Sequence, residues 1–205
     1  VPISLVARQP LLVAAHPALP VASLRELVEY TRAHPGTVNY SAATSTFMLA
    51  AESIKHRTGA DMQHIPYSGG APALNALVAG TVQVSVIAGT TAIPQAMAGK
   101  IRALAVTGSS RLSQLPDVPT FSEVGIVEDV PVWSALFAPA GTPRDVVDRL
   151  HAAIVRVFAT PSVRSRFVAN AETIVLSTPE ELAAIVVRDA ARMRELVKAV
   201  GLQLR

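Results

Sequence analysis

His64-Ile65-Pro66-Tyr67-Ser68-Gly69-Gly70-Ala71-Pro72-Ala73-Leu74-Asn75-Ala76-Leu77-Val78-Ala79-Gly80 is the stretch that decides the fold. It reads as strand end, glycine loop, helix and helix stop. Residues 61–65 make a short strand candidate, and side-chain bulk falls away after Tyr67. Pro72 falls in the first helical turn, where proline is tolerated. Leu74, Leu77 and Val78 recur at helical spacing. Gly80 is placed to end the helix in a left-handed conformation. A glycine loop that opens a helix aims unpaired backbone N–H groups and the positive end of the helix dipole at one place, which is an anion seat. Ordinary strand-to-helix turns of α/β proteins have the same form, so this stretch alone leaves both readings open.

The flanking sequence repeats the pattern. Upstream, Thr37-Val38-Asn39-Tyr40 reads as a strand, Ser41-Ala42-Ala43-Thr44-Ser45-Thr46 as a hydroxyl-rich turn, and residues 47–56 as a helix. Serine and threonine suit helix N-caps for structural reasons alone. Their clustering at a second helix start also supplies donors to a ligand oxygen. Downstream, residues 81–87 become fully apolar, as a buried strand does. Ala88-Gly89-Thr90-Thr91 then forms a third small-residue turn before a helix that stops at Gly99. Arg102 to Thr107 is another buried strand. In an open α/β sheet ligands bind at the strand carboxyl ends, so the three turns are expected to converge on one cleft. The candidate ligand-binding residues are therefore Ser41, Ala42, Thr44, Ser45, Thr46, Tyr67, Ser68, Gly69, Gly70, Ala88, Gly89 and Thr90.

Further out, residues 3–15 read as two strand pieces, or one long strand broken at Pro10. Ser23 with Glu26 makes a capping box ahead of a helix that turns Leu24, Leu27 and Val28 inward and stops at His34-Pro35-Gly36. Residues 108–131 form a long loop. Residues 132–137 make a strand, and Thr142 as N-cap with Pro143 at N1 opens a helix with Val146, Val147, Leu150, Ile154 and Val157 on its apolar face. A shorter helix spans residues 162–170, and residues 173–176 make a brief strand. A second capping box, Thr178 with Glu181, opens a last helix, which buries Leu182, Ile185, Val186, Ala190, Met193, Leu196 and Val197 and ends near Gly201.

Composition narrows the function. The chain has 205 residues, 50% hydrophobic, and no cysteine. Disulfides, thiol catalysis and cysteine metal sites are thereby excluded. The net charge is +3 and aromatic content is 4%. The arginines are scattered rather than run together, and this pattern does not suit nucleic acid, which wants a basic patch and stacking rings. No apolar run approaches the ~18 residues of a membrane span. Val1-Pro2-Ile3-Ser4 shows no charged leader or cleavage pattern and reads as a mature or trimmed start. No nucleotide-binding glycine fingerprint and no nucleophile elbow occur. His16, His34, His56, His64 and His151 fall in different elements. Of these, His64 lies beside the expected cleft and reads as a ligand neighbour or a strand-end histidine. Trp133 reads as core filling or as a cleft lining. No carboxylate pair is spaced for acid–base work. The expectation is a binding protein without catalytic residues, metal or cofactor.

Residues 64–74 resemble the H-V-P-Y-K-G-x-A-P-A-L signature of one family. Ala98-Gly99-Lys100-Ile101-Arg102-Ala103-Leu104-Ala105-Val106-Thr107 is similar to its A-G-K-(L/I)-R-A-L-A-V-T. Arg111, Leu115-Pro116-Asp117-Val118-Pro119-Thr120, Glu123, Gly125 and Phe137-Ala138-Pro139-Ala140-Gly141-Thr142-Pro143 continue the match. The family is the substrate-binding proteins of tripartite tricarboxylate transporters, also known as Bug receptors. The resemblance implies a two-lobed periplasmic-binding-protein fold of type II (a Venus flytrap) that closes on a small organic acid and serves the transporter's membrane components in the periplasm. It implies carboxylate oxygens held by backbone amides, hydroxyls and water. Family members that accept amino acids tend to carry an Asp near Ile87-Ala88, so their absence here disfavours an amino-acid ligand. The family also has a sizeable segment before the part that matches Val1. On that basis residues 7–130 are expected to form a complete α/β second lobe, and residues 1–6 and 131–205 the hinge strands and C-terminal helices of an incomplete first lobe. A second reading is a truncated single-lobe sensing or interaction module, with a homodimer covering the apolar faces of its C-terminal helices.

Overall fold

A computed structural model describes residues 1–126, 130 and 132–202. The chain divides into two units, residues 1–9 with 131–195 and residues 10–130 with 196–205. Each is described by itself.

The second unit is built on a five-stranded sheet of order β4-β3-β5-β2-β6. Its strands are β2 (Leu11–Ala15), β3 (Asn39–Ala42), β4 (Gln63–Pro66), β5 (Val84–Ala88) and β6 (Arg102–Val106). Strands β3, β4 and β5 run parallel, while β2 lies antiparallel between β5 and β6. All five residues of β2 are buried, as suits a run of Leu, Val and Ala covered on both faces.

Helices cover both faces, and β3 shows why. Successive side chains on a strand point to opposite faces. Tyr40 reaches Glu52 of α2 (Ser45–Thr58), whereas its neighbour Ser41 meets the backbone carbonyl of Ala73 in α3 (Gly70–Val78). Helix α4 (Gly89–Met97) packs on β2 and β5.

Helix α1 (Leu24–Ala33) buries Leu24 and Leu27. Burying one such side chain contributes about 1.5–3 kcal/mol. Its cap is a shifted capping box. The Ser23 hydroxyl accepts from Glu26 N at 3.1 Å, and the Glu26 carboxylate accepts from Ala22 N, one residue before the cap, at 2.7 Å.

The first unit holds the antiparallel sheet β7-β1-β8, with β1 (Pro2–Arg8) in the centre, β7 (Trp133–Phe137) and β8 (Thr173–Ile174). Helix α5 (Arg144–Phe158) packs on β1, and α6 (Pro161–Ala169) packs on β8 and α5. Val6, Ala7 and Phe158 form the buried centre, with Ile154, Val163, Phe167, Ile174 and Leu176 against them. Helix α7 (Pro179–Ala199) begins with a reciprocal capping box. The Thr178 hydroxyl accepts from Glu181 N, and the Glu181 carboxylate accepts from Thr178 N. Trp133 is half-buried, and its Nε1 donates to the buried Asp189 of α7 at 3.1 Å.

Several expectations move. The third and fifth strands begin two to three residues later than the sequence pattern placed them. Thr142 does not cap α5. The N-cap is Pro143, and the Thr142 hydroxyl donates to Pro139 O instead. The apolar face expected of α5 is only partly covered. Val147 is buried, but Leu150 and Val157 are 42% and 53% exposed. In α7, Leu182 and Leu196 are buried, while Ile185, Val186, Ala190, Met193 and Val197 are half-buried. The expected loop over residues 108–131 holds an isolated bridge between Leu112 and Leu115, and Thr120 pairs with the end of β6; residues 127–129 and 131 lie outside the described residues.

Candidate functional site

The site is assembled by register. Ala42 stands opposite Pro66 on one side and Val86 on the other, so β4, β3 and β5 end at the same sheet edge. Each strand feeds a helix there: β3 leads into α2, β4 into α3 and β5 into α4. Three helix N-termini therefore lie side by side, with the β3 junction in the middle. Their partial positive charges add at one edge, and first-turn amides have no acceptor within their own helices.

The three junctions differ in how their amides are occupied. Thr44 caps α2, and its Oγ1 accepts from Phe47 N at 3.3 Å. Ser45 and Thr46 follow in the first turn, exposed and half-buried. Helix α3 starts from Gly69 without a side-chain cap. Around it Tyr67, Gly69 and Gly70 are half-buried and Ser68 is exposed. A Cβ built on Gly70 meets nothing within 4 Å, and one on Gly69 meets only Pro72 Cδ at 4.0 Å. These glycines leave open space in front of the helix rather than relieve a clash.

Ala88 and Gly89 differ from expectation. No loop separates β5 from α4, because Ala88 is both the last residue of the strand and the N-cap. Gly89 is buried, and its amide already donates to Pro10 O at 2.8 Å. A Cβ there would lie 2.8 Å from Pro10 Cγ. Gly89 is therefore glycine to let β2 pass closely, and its amide is committed to the fold. Ala88 and Thr90 remain half-exposed at the edge.

Ser41 also shifts role. It is fully buried, and its hydroxyl donates to Ser85 Oγ at 2.8 Å. It ties β3 to β5 behind the edge instead of facing it. Ala42 is buried at the strand end. His64 is half-buried with its ring 5.0 Å from that of Tyr40, and its Nε2 has no partner among the described residues. The Tyr40 hydroxyl donates to Glu52 at 2.6 Å, and Lys55 shares the same carboxylate oxygen at 2.8 Å. Burial, with Glu52 beside it, pushes the Tyr40 hydroxyl far above its ordinary range. This network locks β3 to α2 and holds the central junction in place.

Two contributors escaped the sequence reading. Pro10 and Thr107 sit at the same edge because β2 enters there and β6 ends there. Leu11 N donates to Thr107 Oγ1 at 2.8 Å, and Thr107 N donates back to Leu11 O at 2.9 Å. No local signal marks them, since the insertion of β2 between β5 and β6 is a long-range choice. The edge as a whole carries no ionisable side chain among residues 41–47, 68–70 and 88–91. The side chains of those residues offer neutral hydrogen-bond partners, with the Tyr67 phenol beside them.

The model of the tripartite tricarboxylate transporter family receptor matches residues 1–202. This chain belongs to that family. BugT of Bordetella pertussis (strain Tohama I) is 32% identical over 208 residues, which cover 100% of this chain and 64% of BugT. The chain thus spans less than two thirds of that relative's length. Among solved structures, R. palustris Rpa4515 with adipate superposes with a TM-score of 0.90 at 30% identity, over 98% of this chain and 68% of that one. MatC from Rhodopseudomonas palustris with bound malate gives 0.86 at 31% identity, over 96% and 69%. The architecture is that of the family's periplasmic binding proteins, mixed α/β as expected. No helix among the described residues is long and apolar enough to cross a membrane.

Proposed function

We propose that this chain is a solute-binding protein, or the greater part of one, that captures a small organic carboxylate outside the cytoplasm for a tripartite tricarboxylate-type transporter. The observation that carries the reading is the alignment of three helix N-termini at one sheet edge that has no charged side chain of its own. Such an edge attracts an anion by backbone dipoles and holds it with N–H and hydroxyl donors. A carboxylate oxygen would sit against Thr44–Thr46 and Tyr67–Gly70, with Ala88 and Thr90 flanking. Ser41, Ala42 and Gly89 would support these contacts from behind. An ammonium group would find no carboxylate there, and an unpaired buried charge is costly, so amino acids are poor ligands. The relatives solved with adipate and malate make dicarboxylates the first compounds to try.

We assign residues 10–130 to one lobe of the receptor and residues 1–9 and 131–195 to the hinge strands and part of the other; the boundary expected at residue 7 moves to residue 9 because β1 runs on to Arg8. The proposed location is the periplasm, and the proposed partners are the transporter's membrane components. Titration calorimetry with adipate, malate and monocarboxylates tests the reading. Saturable binding of a dicarboxylate, abolished when Gly69 and Gly70 are both replaced by valine, is the expected result. Equal affinity in the double variant would reject this edge as the site.

A second reading, a homodimeric interaction module, is favoured by β7. This edge strand has no charged residue and exposes Leu136 and Phe137 at 44% and 51%. Uncharged apolar edges invite strand pairing. Light scattering over a dilution series tests it, and a monomer at every concentration counts against it.

A further inference from the structure

The two faces of the second unit's sheet meet the ligand edge with different chemistry. Tyr40 reaches Glu52, so α2 covers the face that Tyr40 occupies. Alternate residues of a strand share a face, and so do directly paired residues of neighbouring strands. Ala42, Pro66, Val86 and Ala88 therefore lie on this same face, where β3, β4 and β5 end. Ala42 and Val86 are buried, Ala88 is half-exposed and Pro66 is exposed. None of the four has a polar side-chain atom.

Helix α2 sets its first turn over this row. Ala50 is fully buried, and the positions three and four residues before it, Phe47 and Thr46, share its side of the helix one turn earlier. Both are half-buried. The Phe47 amide is taken by the Thr44 hydroxyl at 3.3 Å, so Phe47 offers the edge its ring and not its N–H. That bulk is peculiar to α2. The matching positions of α3 and α4, three residues before the buried Ala73 and Ala92, are Gly70 and Gly89. No charged side chain occurs from Pro35 to Ala51 or from Ile65 to Gly99. The α3 side of the edge thus presents an uncapped helix start, and the α2 side presents carbon. All these residues belong to the second unit, whose own strands and helix build the wall.

We propose that Phe47 is a specificity-determining residue, and that the ligand is a carboxylate whose unbroken hydrocarbon segment lies on Phe47, Pro66 and Ala88. The inference rests on the carboxylate-binding reading above and adds the kind of carbon chain the edge selects. Alanine and proline offer little area, so the Phe47 ring supplies most of the contact. An oxygen within that segment would give up water and meet carbon, apart from the Thr46 hydroxyl at the margin.

Titration calorimetry on the full chain tests it with straight-chain dicarboxylates of increasing length. Each is paired with the ether acid in which one methylene is replaced by oxygen. Each methylene laid on the wall should tighten binding about fourfold. Each ether acid should bind roughly two- to thirtyfold more weakly than its hydrocarbon counterpart. Phe47→Ala should flatten the length dependence and bring the paired acids to equal affinity, while Phe47→Leu should keep the preference. A loss of folding would weaken both members of a pair alike, so the ratio within each pair is the readout. Equal affinities within the pairs for the parent chain, or an unchanged ratio in Phe47→Ala, would overturn the proposal and leave the carboxylate reading standing. No binding of any acid by the parent chain would overturn both.

Discussion

Replacing Gly89 and Gly70 by alanine, one at a time, should separate fold from binding at the same sheet edge. In Gly89→Ala the new Cβ falls 2.8 Å from Pro10 Cγ, 3.2 Å from Pro10 O and 3.4 Å from Leu12 Cδ1. The first contact is closer than real Cβ atoms come. Pro10 is a ring at the entry to a central strand, with its carbonyl fixed by the Gly89 amide at 2.8 Å, so it has little room to yield. Forcing an extra carbon into such a site typically costs about 1–3 kcal/mol. For a chain of this size each kcal/mol lowers the melting temperature by roughly 2–4 °C, so a drop of about 2–12 °C is expected. In Gly70→Ala the Cβ meets nothing within 4 Å. Alanine is also the better helix former by about 1 kcal/mol, so melting should stay level or rise slightly. Affinity should behave in the opposite way. Gly70→Ala places a methyl group in front of the α3 amides, and losing one charge-assisted hydrogen bond costs about 1.5–3 kcal/mol, roughly 10- to 150-fold in Kd. Gly89→Ala, assayed below its melting range, should bind within a few-fold of the parent. Calorimetric melting and titration with a bound dicarboxylate read both quantities. A stable Gly89→Ala variant, or a Gly70→Ala variant that melts early and binds normally, would refute the division of labour drawn between these two glycines.

Three further outcomes are expected. Ala171 sits at φ +56° in the Schellman turn that ends α6, where Glu172 N donates to Phe167 O and Ala171 N to Val168 O. A non-glycine residue in that region costs about 1–2 kcal/mol, and glycine's greater unfolded freedom costs about 0.5–1, so Ala171→Gly should stabilise by about 0.5–1 kcal/mol in urea denaturation. Ser41→Ala should destabilise by about 0.5–1.5 kcal/mol, because it removes the donor to the buried Ser85 Oγ, which keeps only its own bond to Ser41 O, and adding Ser85→Ala should cost less than the sum of the single changes; additive losses would mean that the pair is not coupled. The Glu123 carboxyl is held below its ordinary 4.5, first by Thr120 N and then by Arg111. A depressed carboxylate supports the native state above its unfolded value and loses that support as pH falls through the folded one. The 111–123 loop should therefore gain proteolytic sensitivity only below about pH 4.5, and Glu123→Gln should make it sensitive at neutral pH as well.

Much of the local structure was legible because it rests on neighbouring residues. Thr178 and Glu181 announce a helix start within four residues, and the reciprocal bonds form as read. Gly80 closes α3 at φ +75° for the backbone reason that puts glycine there. Tyr67 to Gly70 opens a helix without a side-chain cap, as its lack of bulk implies. The strand starts were less legible. In β3 and β5 the apolar pattern begins before the ladder does, since a residue can be buried without pairing. Thr142 looked like a cap, yet the Pro143 geometry set the helix one residue later and left the threonine to bond Pro139.

The sequence by itself determined that three strand-to-helix junctions made of small, uncharged residues exist, because glycine, serine and threonine act through their own backbone and nearest neighbours. It also determined the family, since long ordered motifs identify it without any contact being known. Only the tertiary structure decided which members of those junctions face outward. Ser41 and Gly89 have the same local chemistry as Ser45 and Gly70, but β5 lies beside the first and Pro10 beside the second. The order of strands, with β2 inserted antiparallel between β5 and β6, supplies those neighbours. Strand order is set by long-range burial of both sheet faces, which no short stretch of residues encodes.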